Sequence, residues 1–197
     1  MQKNILIAIL GLMLFLSAIF NAFLAHKVAE LEKQLPPARV QPALNPHQQA
    51  LHQKFLERMA QDEQKYTKDQ LHDAEQMYQV ANKNFGSPQA NASLQAMIQK
   101  YPDIDRTGCA VLYLAQKSKG DDRAKYLQQC IDQYNDCFYG DGVQVGALAR
   151  YFLAQDCQSH GDTDKAKALF DEIKTSYPDA VDHGGDLLVN LIKAEGK

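Results

Sequence analysis

Residues 150–182 read RYFLAQDCQSHGDTDKAKALFDEIKTSYPDAVD, and this stretch decides the fold. Its apolar residues recur three and four positions apart in each half, and residues at that spacing share one face of an α-helix. Gly161-Asp162 separates the halves as a turn, and Pro178 stops the second helix. The stretch therefore predicts a helical hairpin whose facing stripes are Leu153, Ala154 and Cys157 on the first helix and Ala166, Phe170 and Ile173 on the second.

A related pattern occurs earlier in the chain. Residues 74–105 read AEQMYQVANKNFGSPQANASLQAMIQKYPDID, and both stretches end in a helix followed by Tyr-Pro-Asp. Tyr101 and Tyr177 are 76 positions apart, twice 38, which leaves room for a middle unit. Each hairpin buries its apolar stripe only against a neighbour, so three units and a terminal helix form a sensible minimum. The residues predicted to supply that terminal helix are Leu187, Leu188, Leu191 and Ile192.

These hairpins resemble the tetratricopeptide repeat (TPR), which has a period of about 34 residues and closes with a proline. The residues at its signature offsets in the last unit are Leu153, Ala154, Cys157, Ala166, Phe170 and Pro178; those in the first unit are Ala74, Met77, Tyr78, Ala81, Ala90, Leu94, Met97 and Pro102. The middle unit fits only if one residue is deleted from its turn, and no proline closes it. The resemblance implies an all-α domain over residues 70–197, a short TPR-like α-solenoid with units at about 70–103, 105–138 and 147–180 and a capping helix to about 193.

In TPR proteins the inner face of each first helix lines a concave groove that binds peptides or partner segments. Carried over by position, the resemblance places the following residues on that groove, with Tyr139 and Asp141 at one end: His72, Glu75, Gln79, Asn82, Thr107, Leu114, Lys117, Tyr151, Gln155 and Gln158. Such a mixed groove favours an extended segment or a helix over a strongly charged tail. The expected partners are therefore other proteins or peptides.

The loop at residues 137–142 contains two glycines, an acid and an aromatic pair. A ligand loop is one interpretation. A structural turn is favoured, because glycine permits left-handed backbone and the aromatic side chains Phe138 and Tyr139 can fill the seam between hairpins.

Residues 5–25 read ILIAILGLMLFLSAIFNAFLA, 21 positions without a charged side chain. As a helix this stretch spans roughly 30 Å, the thickness of the hydrocarbon core of a bilayer. A cleaved signal sequence needs small residues at −3 and −1, whereas Phe20 and Phe23 occupy the −3 positions of the cuts after Ala22 and Ala25. We therefore interpret residues 1–35 as an uncleaved transmembrane helix with a helical extension, whose residues 5–25 contact the lipid bilayer.

Two further segments join the anchor to the repeats. Residues 36–46 read PPARVQPALNP and predict an extended, semi-rigid linker. Residues 47–69 predict a polar helical segment with one apolar stripe, Leu51, Phe55 and Met59, and its glutamine-rich face is expected to be solvated. Thr67 and Gln70 fit a capping box, which predicts that a new helix begins there.

The leader before the apolar segment has only four residues, which favours a cytosolic amino terminus. The expected location is thus the inner (plasma) membrane, with a single pass and an extracytoplasmic, periplasmic carboxyl-terminal domain. In layout the chain is similar to membrane-anchored bacterial TPR proteins. This similarity implies an adaptor, scaffold or assembly factor for envelope or secreted proteins, and it does not choose a pathway.

Charge and residue spacing disfavour several other functions. The net charge of −3 leaves no basic surplus for phosphate contacts, so nucleic acid is not an expected partner. No two of the six histidines have the i, i+4 spacing of a metal site, so we expect neither a metal nor another cofactor. No grouping indicates a catalytic residue, so an enzyme is not expected.

Two alternatives to the adaptor stay open. The cysteines, Cys109, Cys130, Cys137 and Cys157, are an even set that an oxidising compartment could pair, although none forms a CxxC motif. They leave room for a cysteine-dependent redox or metal-handling envelope protein. The second alternative is an oligomeric structural spacer whose coiled-coil segments associate into a homo-oligomer.

Overall fold

The computed structural model describes residues 44–195, together with Lys27. Within residues 44–195 the chain forms eight α-helices and no β-strand, which confirms the prediction of an all-α fold. In chain order the helices are α1 (Pro46–Lys65), α2 (Lys68–Lys83), α3 (Pro88–Lys100), α4 (Asp105–Lys117), α5 (Gly120–Gln133), α6 (Val145–Ser159), α7 (Thr163–Ser176) and α8 (Leu188–Glu195).

The membrane anchor predicted at residues 5–25 lies outside the described residues, and so does most of the proline-rich linker, residues 36–43. Among residues 44–195, no helix combines the length and the apolar character that crossing a bilayer requires. Most of the predicted polar segment, residues 47–69, is occupied by α1, which begins one residue earlier, at Pro46 of the predicted linker, and ends at Lys65.

Side-chain caps set several helix starts. Thr67 accepts a hydrogen bond from the Gln70 backbone N–H, and the Gln70 side chain accepts one from the Thr67 N–H. This confirms the predicted capping box at the start of α2. The Ser87 side chain caps α3 by accepting a hydrogen bond from the Ala90 backbone N–H. Pro88 follows in the first turn, where a backbone N–H would have no partner within the helix. Asn45 and Gln48 form a second capping box at the start of α1, with the same pair of reciprocal hydrogen bonds.

The helices after α1 pair as hairpins in sequence order. α2 packs on α3, α4 on α5 and α6 on α7, while each hairpin also packs on the next and α8 packs on α7. The first helices of the hairpins contact each other as well, α2 with α4 and α4 with α6. As a result α4 lies at the centre of the core, and every residue from 107 to 115 is buried.

The second and third hairpins end in loops of the same backbone structure. Each loop closes through one isolated antiparallel bridge, Phe138 with Gln144 and Val181 with Leu187. The second hairpin ends in Tyr134-Asn135-Asp136, which takes the place of the Tyr-Pro-Asp of the other two. The spacing is therefore 33 residues from Tyr101 to Tyr134 and 43 from Tyr134 to Tyr177, not twice 38. The second interval is longer because it includes the extended loop that precedes the third hairpin.

The most important feature for the site is α1, which crosses the loops of all three hairpins. Near its start, the Asn45 side chain donates to the Gly185 carbonyl over 2.8 Å, in the third loop. In its middle, the His52 ring nitrogen Nδ1 lies 2.7 Å from the Gly140 carbonyl oxygen, in the second loop. Near its end, Arg58 donates to the Asp103 carbonyl over 3.1 Å, in the first loop. We call α1 the strap helix.

A glycine allows the strap helix to approach the second loop. Gly142 has φ +87°, and a Cβ atom at this position would lie 2.7 Å from the Gln48 carbonyl oxygen and 3.1 Å from the Leu51 Cβ. Only glycine combines this left-handed backbone with so close a contact. The structural turn predicted for residues 137–142 is therefore confirmed, with Phe138 buried and Tyr139 half-buried beside it.

Candidate functional site

A pocket of about 260 Å³ lies between the strap helix, α2 and the start of α4. Its walls are mainly apolar, and two aspartates line it from opposite elements. The strap helix contributes Phe55, Met59 and Asp62, α2 contributes Leu71, Ala74 and Glu75, and the α4 end contributes Ile104, Asp105 and Arg106. Met59 is 41% exposed although it lines the pocket, so the pocket opens to solvent beside it. Leu56, on the same helix, is 44% exposed.

Asp62 is the least expected member of this site, since it is a carboxylate with only 3% of its surface exposed. Its Oδ2 accepts a hydrogen bond from the Asp105 backbone N–H over 2.8 Å. This N–H belongs to the first turn of α4, whose N-cap position is occupied by Ile104, a residue with no capping group. Asp62 therefore supplies from another helix the cap that the local sequence lacks.

Asp105 continues the same chain of contacts. It is also 3% exposed, and its Oδ1 accepts a hydrogen bond from the Phe138 backbone N–H over 2.8 Å. The two aspartates thus link the strap helix to α4 and α4 to the second loop. Each carboxylate satisfies one backbone N–H that would otherwise be buried without a partner.

Burial dominates the electrostatics of both acids. It raises the pKa of Asp105 to about 7, with the hydrogen bond from Phe138 and the charge of Arg58 acting in the opposite direction. Burial also raises the pKa of Asp62, against the hydrogen bond from Asp105 and the charge of Arg58. The charge of Asp62 also raises the pKa of Asp105, and the charge of Asp103 raises that of Asp62, because like charges repel.

Two arginines lie near these acids, and one of them forms an ion pair. Arg106 donates from Nε to the Glu75 carboxylate over 2.8 Å, and its guanidinium lies 4.8 Å from the centre of the Tyr78 ring. Arg58 donates its Nη groups to Gln61 and to the Asp103 carbonyl. The charge of Arg58 therefore acts on both buried aspartates, and it lowers the pKa of each.

The predicted groove residues on α2 lie together. His72 and Asn82 are exposed, whereas Glu75 and Gln79 are half-buried. Gln79 donates to Glu75 over 2.6 Å. Of these four residues, Glu75 lines the pocket.

The predicted groove residues on α4 separate into two groups. Thr107 and Leu114 are buried, and the Thr107 hydroxyl donates to the Tyr101 carbonyl over 2.5 Å. They belong to the core and present no surface to a partner, because α4 packs against α3 and α5 and also against α2, α6 and the strap helix. Lys117 is exposed, and its ammonium lies 3.2 Å from the centre of the Phe85 ring.

The remaining predicted groove residues lie in the second loop and in α6. Tyr139 donates its hydroxyl hydrogen to the Cys109 carbonyl over 3.1 Å, and Asp141 lies 2.7 Å from the His183 ring. Tyr151 is buried against Phe152 and Phe170, which removes it from the surface. Two further predicted residues lie near the end of α6, the half-buried Gln155 and the exposed Gln158.

The predicted groove therefore does not form one continuous open surface in this structure, and the acidic pocket was not predicted. One signal pointed to it. The apolar stripe Leu51, Phe55 and Met59 continues to Asp62, which places a carboxylate on the buried face of an otherwise amphipathic helix.

The structure gives less support to thiol or metal chemistry. Cys109, Cys130 and Cys137 are buried and free, and Cys157 is half-buried and free. Burial raises the pKa of Cys137 to about 12 and that of Cys109 well above its ordinary value. Within the described residues, no group of three histidine, cysteine or acidic side chains is placed to hold a metal ion. Comparison of the chain with protein-family models, with curated proteins and with solved structures finds no match.

Proposed function

We propose that the chain is a membrane-anchored adaptor of the cell envelope whose TPR-like helical domain binds a protein or peptide partner. The observation that carries the proposal is the open pocket between the strap helix, α2 and α4. The exposed apolar side chains of Leu56 and Met59 flank it on the strap helix. Open apolar surface beside a formed pocket is a feature of binding sites.

The pairing of consecutive helices supports the TPR-like part of the proposal. Three hairpins stack in sequence order, and their first helices form a continuous row, as in α-solenoids. The anchor part of the proposal rests on the uncharged sequence of residues 5–25.

Site-specific photo-crosslinking tests the partner. A photoreactive phenylalanine analogue replaces Leu56 in the full-length chain, expressed in the cells from which it derives, and the matched control carries the analogue at Ala168, an exposed residue of α7. We expect a discrete adduct from position 56 and none from position 168. Equal labelling at both positions, or no adduct at either, contradicts the adaptor function.

Protease accessibility tests the location. After the outer membrane is permeabilised, added protease should digest the helical domain while a cytosolic marker survives. Protection of the domain until the inner membrane is lysed contradicts the proposed orientation.

The buried thiols disfavour the cysteine-dependent alternative, because thiolate is the reactive form and a raised pKa suppresses it. The oligomeric spacer would require association through coiled-coil segments. Measurement of the mass of the full-length protein in detergent separates it from a monomeric adaptor.

A further inference from the structure

The pocket beneath the strap helix contains a carboxylate oxygen without a hydrogen-bond partner. Asp62 uses Oδ2 for the Asp105 N–H, whereas its Oδ1 is buried and unpartnered among the described residues. A buried charged oxygen without a partner is costly, and native structures rarely leave one unless a ligand or water completes it. Asp62 lines the pocket, so its carboxyl group borders the space that a ligand would occupy.

We propose that the pocket binds an alkylammonium group, supplied by a lysine side chain of a protein partner or by a free amine. The lysine source rests on the proposed adaptor function, and it means that the partner places a lysine side chain in the pocket. The free amine would occupy the same pocket by the same chemistry.

Size and wall chemistry fit an alkyl chain. The volume of about 260 Å³ is just below the roughly 300–1,000 Å³ of pockets for drug-sized ligands, so it suits one long side chain. Phe55, Leu71 and Ile104 supply apolar wall for the methylene stem. Each buried methylene is worth about 0.8 kcal/mol, or about a fourfold gain in affinity.

The number of open oxygens favours ammonium over guanidinium. An arginine side chain is bound best by a carboxylate that offers both oxygens in parallel. Asp62 has one oxygen engaged, and Asp105 has Oδ1 engaged by Phe138. A compact ammonium needs only single oxygens, and its three donors can be shared between neighbouring carboxylates.

The two arginines near the aspartates use their hydrogen bonds elsewhere. Arg106, which also lines the pocket, is bound to Glu75, and Arg58 donates its Nη groups to Gln61 and the Asp103 carbonyl. Neither guanidinium donates to Oδ1 of Asp62, so this oxygen is left for a donor that enters the pocket from outside the chain.

Ligand-observed NMR on the full chain in lipid nanodiscs tests the proposal. The probe is n-butylammonium, and the control is n-butanol, which has the same stem without the charge. We expect saturable binding of butylammonium in the millimolar range, at least tenfold weaker binding of butanol, and about fourfold weaker binding for each methylene removed from the probe. Absence of saturable butylammonium binding, or equal binding of butanol, overturns the proposal.

Two variants locate the bound group. Asp62→Asn should weaken butylammonium at least tenfold, whereas Glu63→Gln, which neutralises an exposed acid on the same helix, should leave it unchanged. If Asp62→Asn does not fold, Met59→Trp provides the test, because a larger side chain at this partly exposed position should close the pocket. Unchanged binding in the folded variant overturns the site.

A pair of short peptides separates the two sources. One contains a central lysine with neutral, blocked ends, and the other contains norleucine in its place. Competition by the lysine peptide with butylammonium supports a protein lysine; butylammonium binding without such competition supports a free amine. A photo-crosslinked partner at Leu56 with no butylammonium binding would retain the adaptor and reject this inference, and the reverse result would retain the amine site alone.

Discussion

Arg150 donates a hydrogen bond from Nη1 to the side-chain oxygen Oδ1 of Asn135 over 2.7 Å, and this bond joins α6 to the loop that closes the second hairpin. The same Asn135 oxygen accepts the Tyr177 hydroxyl over 2.8 Å, which brings in the end of the third hairpin. Arg150 also donates from Nε to Glu172 and is only 7% exposed. One buried guanidinium therefore holds together the ends of two repeats.

We predict that Arg150→Ala lowers the free energy of unfolding by about 3 kcal/mol, because it leaves buried acceptors without their donor. Arg150→Lys should recover only part of this loss, since an ammonium cannot reproduce the fork that reaches Asn135 and Glu172 together. Urea denaturation measures both variants. Lys167→Ala is the control: it breaks an exposed ion pair with Asp171 and should change nothing measurable. Equal stability of Arg150→Ala and the parent would contradict the role of this contact.

A second prediction tests how the strap helix contacts the second loop. Gly142 and Gly161 have nearly the same backbone, with φ +87° and +85°, but a Cβ at Gly161 would meet no atom within 4 Å. Alanine at either position should cost roughly 1–2 kcal/mol from the left-handed backbone alone. Gly142→Ala should cost about 1–3 kcal/mol more, because its Cβ would collide with the Gln48 carbonyl.

The two glycine variants also differ in where they loosen the protein. In Gly142→Ala, hydrogen exchange should accelerate along residues 46–65, because the strap helix must move away from the loop. In Gly161→Ala, exchange of these residues should match the parent. Similar exchange in both variants would show that the strap helix does not depend on this contact.

The sequence predicts the local elements of this fold better than its long-range contacts. The caps at Thr67 and Ser87 mark the starts of α2 and α3 because a capping bond forms between residues three apart. The position of the strap helix depends instead on contacts such as Asp62 with Asp105, which are 43 residues apart. No local pattern specifies such a contact, so the pocket could not be derived from spacing.

The groove prediction shows the same limit. It assigns residues of each first helix by their offset in a repeat, which treats the three units as equivalent. Thr107 and Leu114 of the middle unit are nevertheless buried, because α4 packs against helices of both neighbouring hairpins. Repeat offsets describe a residue's place on its helix, but they do not describe what another segment places over it.

Thiol accessibility provides a third prediction. Cys157 is half-buried, whereas Cys109, Cys130 and Cys137 are buried. At pH 8 in the native protein, a maleimide reagent should label only Cys157, and the other three should react only in denaturant. Mass spectrometry counts the added groups. Cys157→Ser should abolish native labelling, and rapid reaction at two or more cysteines in the folded protein would instead favour the redox alternative.

The last prediction follows from the buried carboxyl of Asp105. In the unfolded chain this group loses its proton near pH 4, whereas burial raises its pKa in the folded protein to about 7. Between these values the folded state holds more protons than the unfolded state, so stability falls as pH rises from about 4 to about 7 and then stays constant with respect to this group. A difference of about three pKa units corresponds to a loss of stability on the order of 4 kcal/mol.

The variant Asp105→Asn tests this dependence on pH. It preserves an acceptor for the Phe138 N–H but cannot ionise, so its free energy of unfolding should fall less over the same range. A smaller slope remains because the pKa of Asp62 is raised as well. Denaturant unfolding of the parent and of Asp105→Asn at intervals between pH 4.5 and 8 measures the difference, with Glu63→Gln as the exposed control. If the parent and Asp105→Asn show the same dependence on pH, Asp105 does not ionise in the range that its burial dictates.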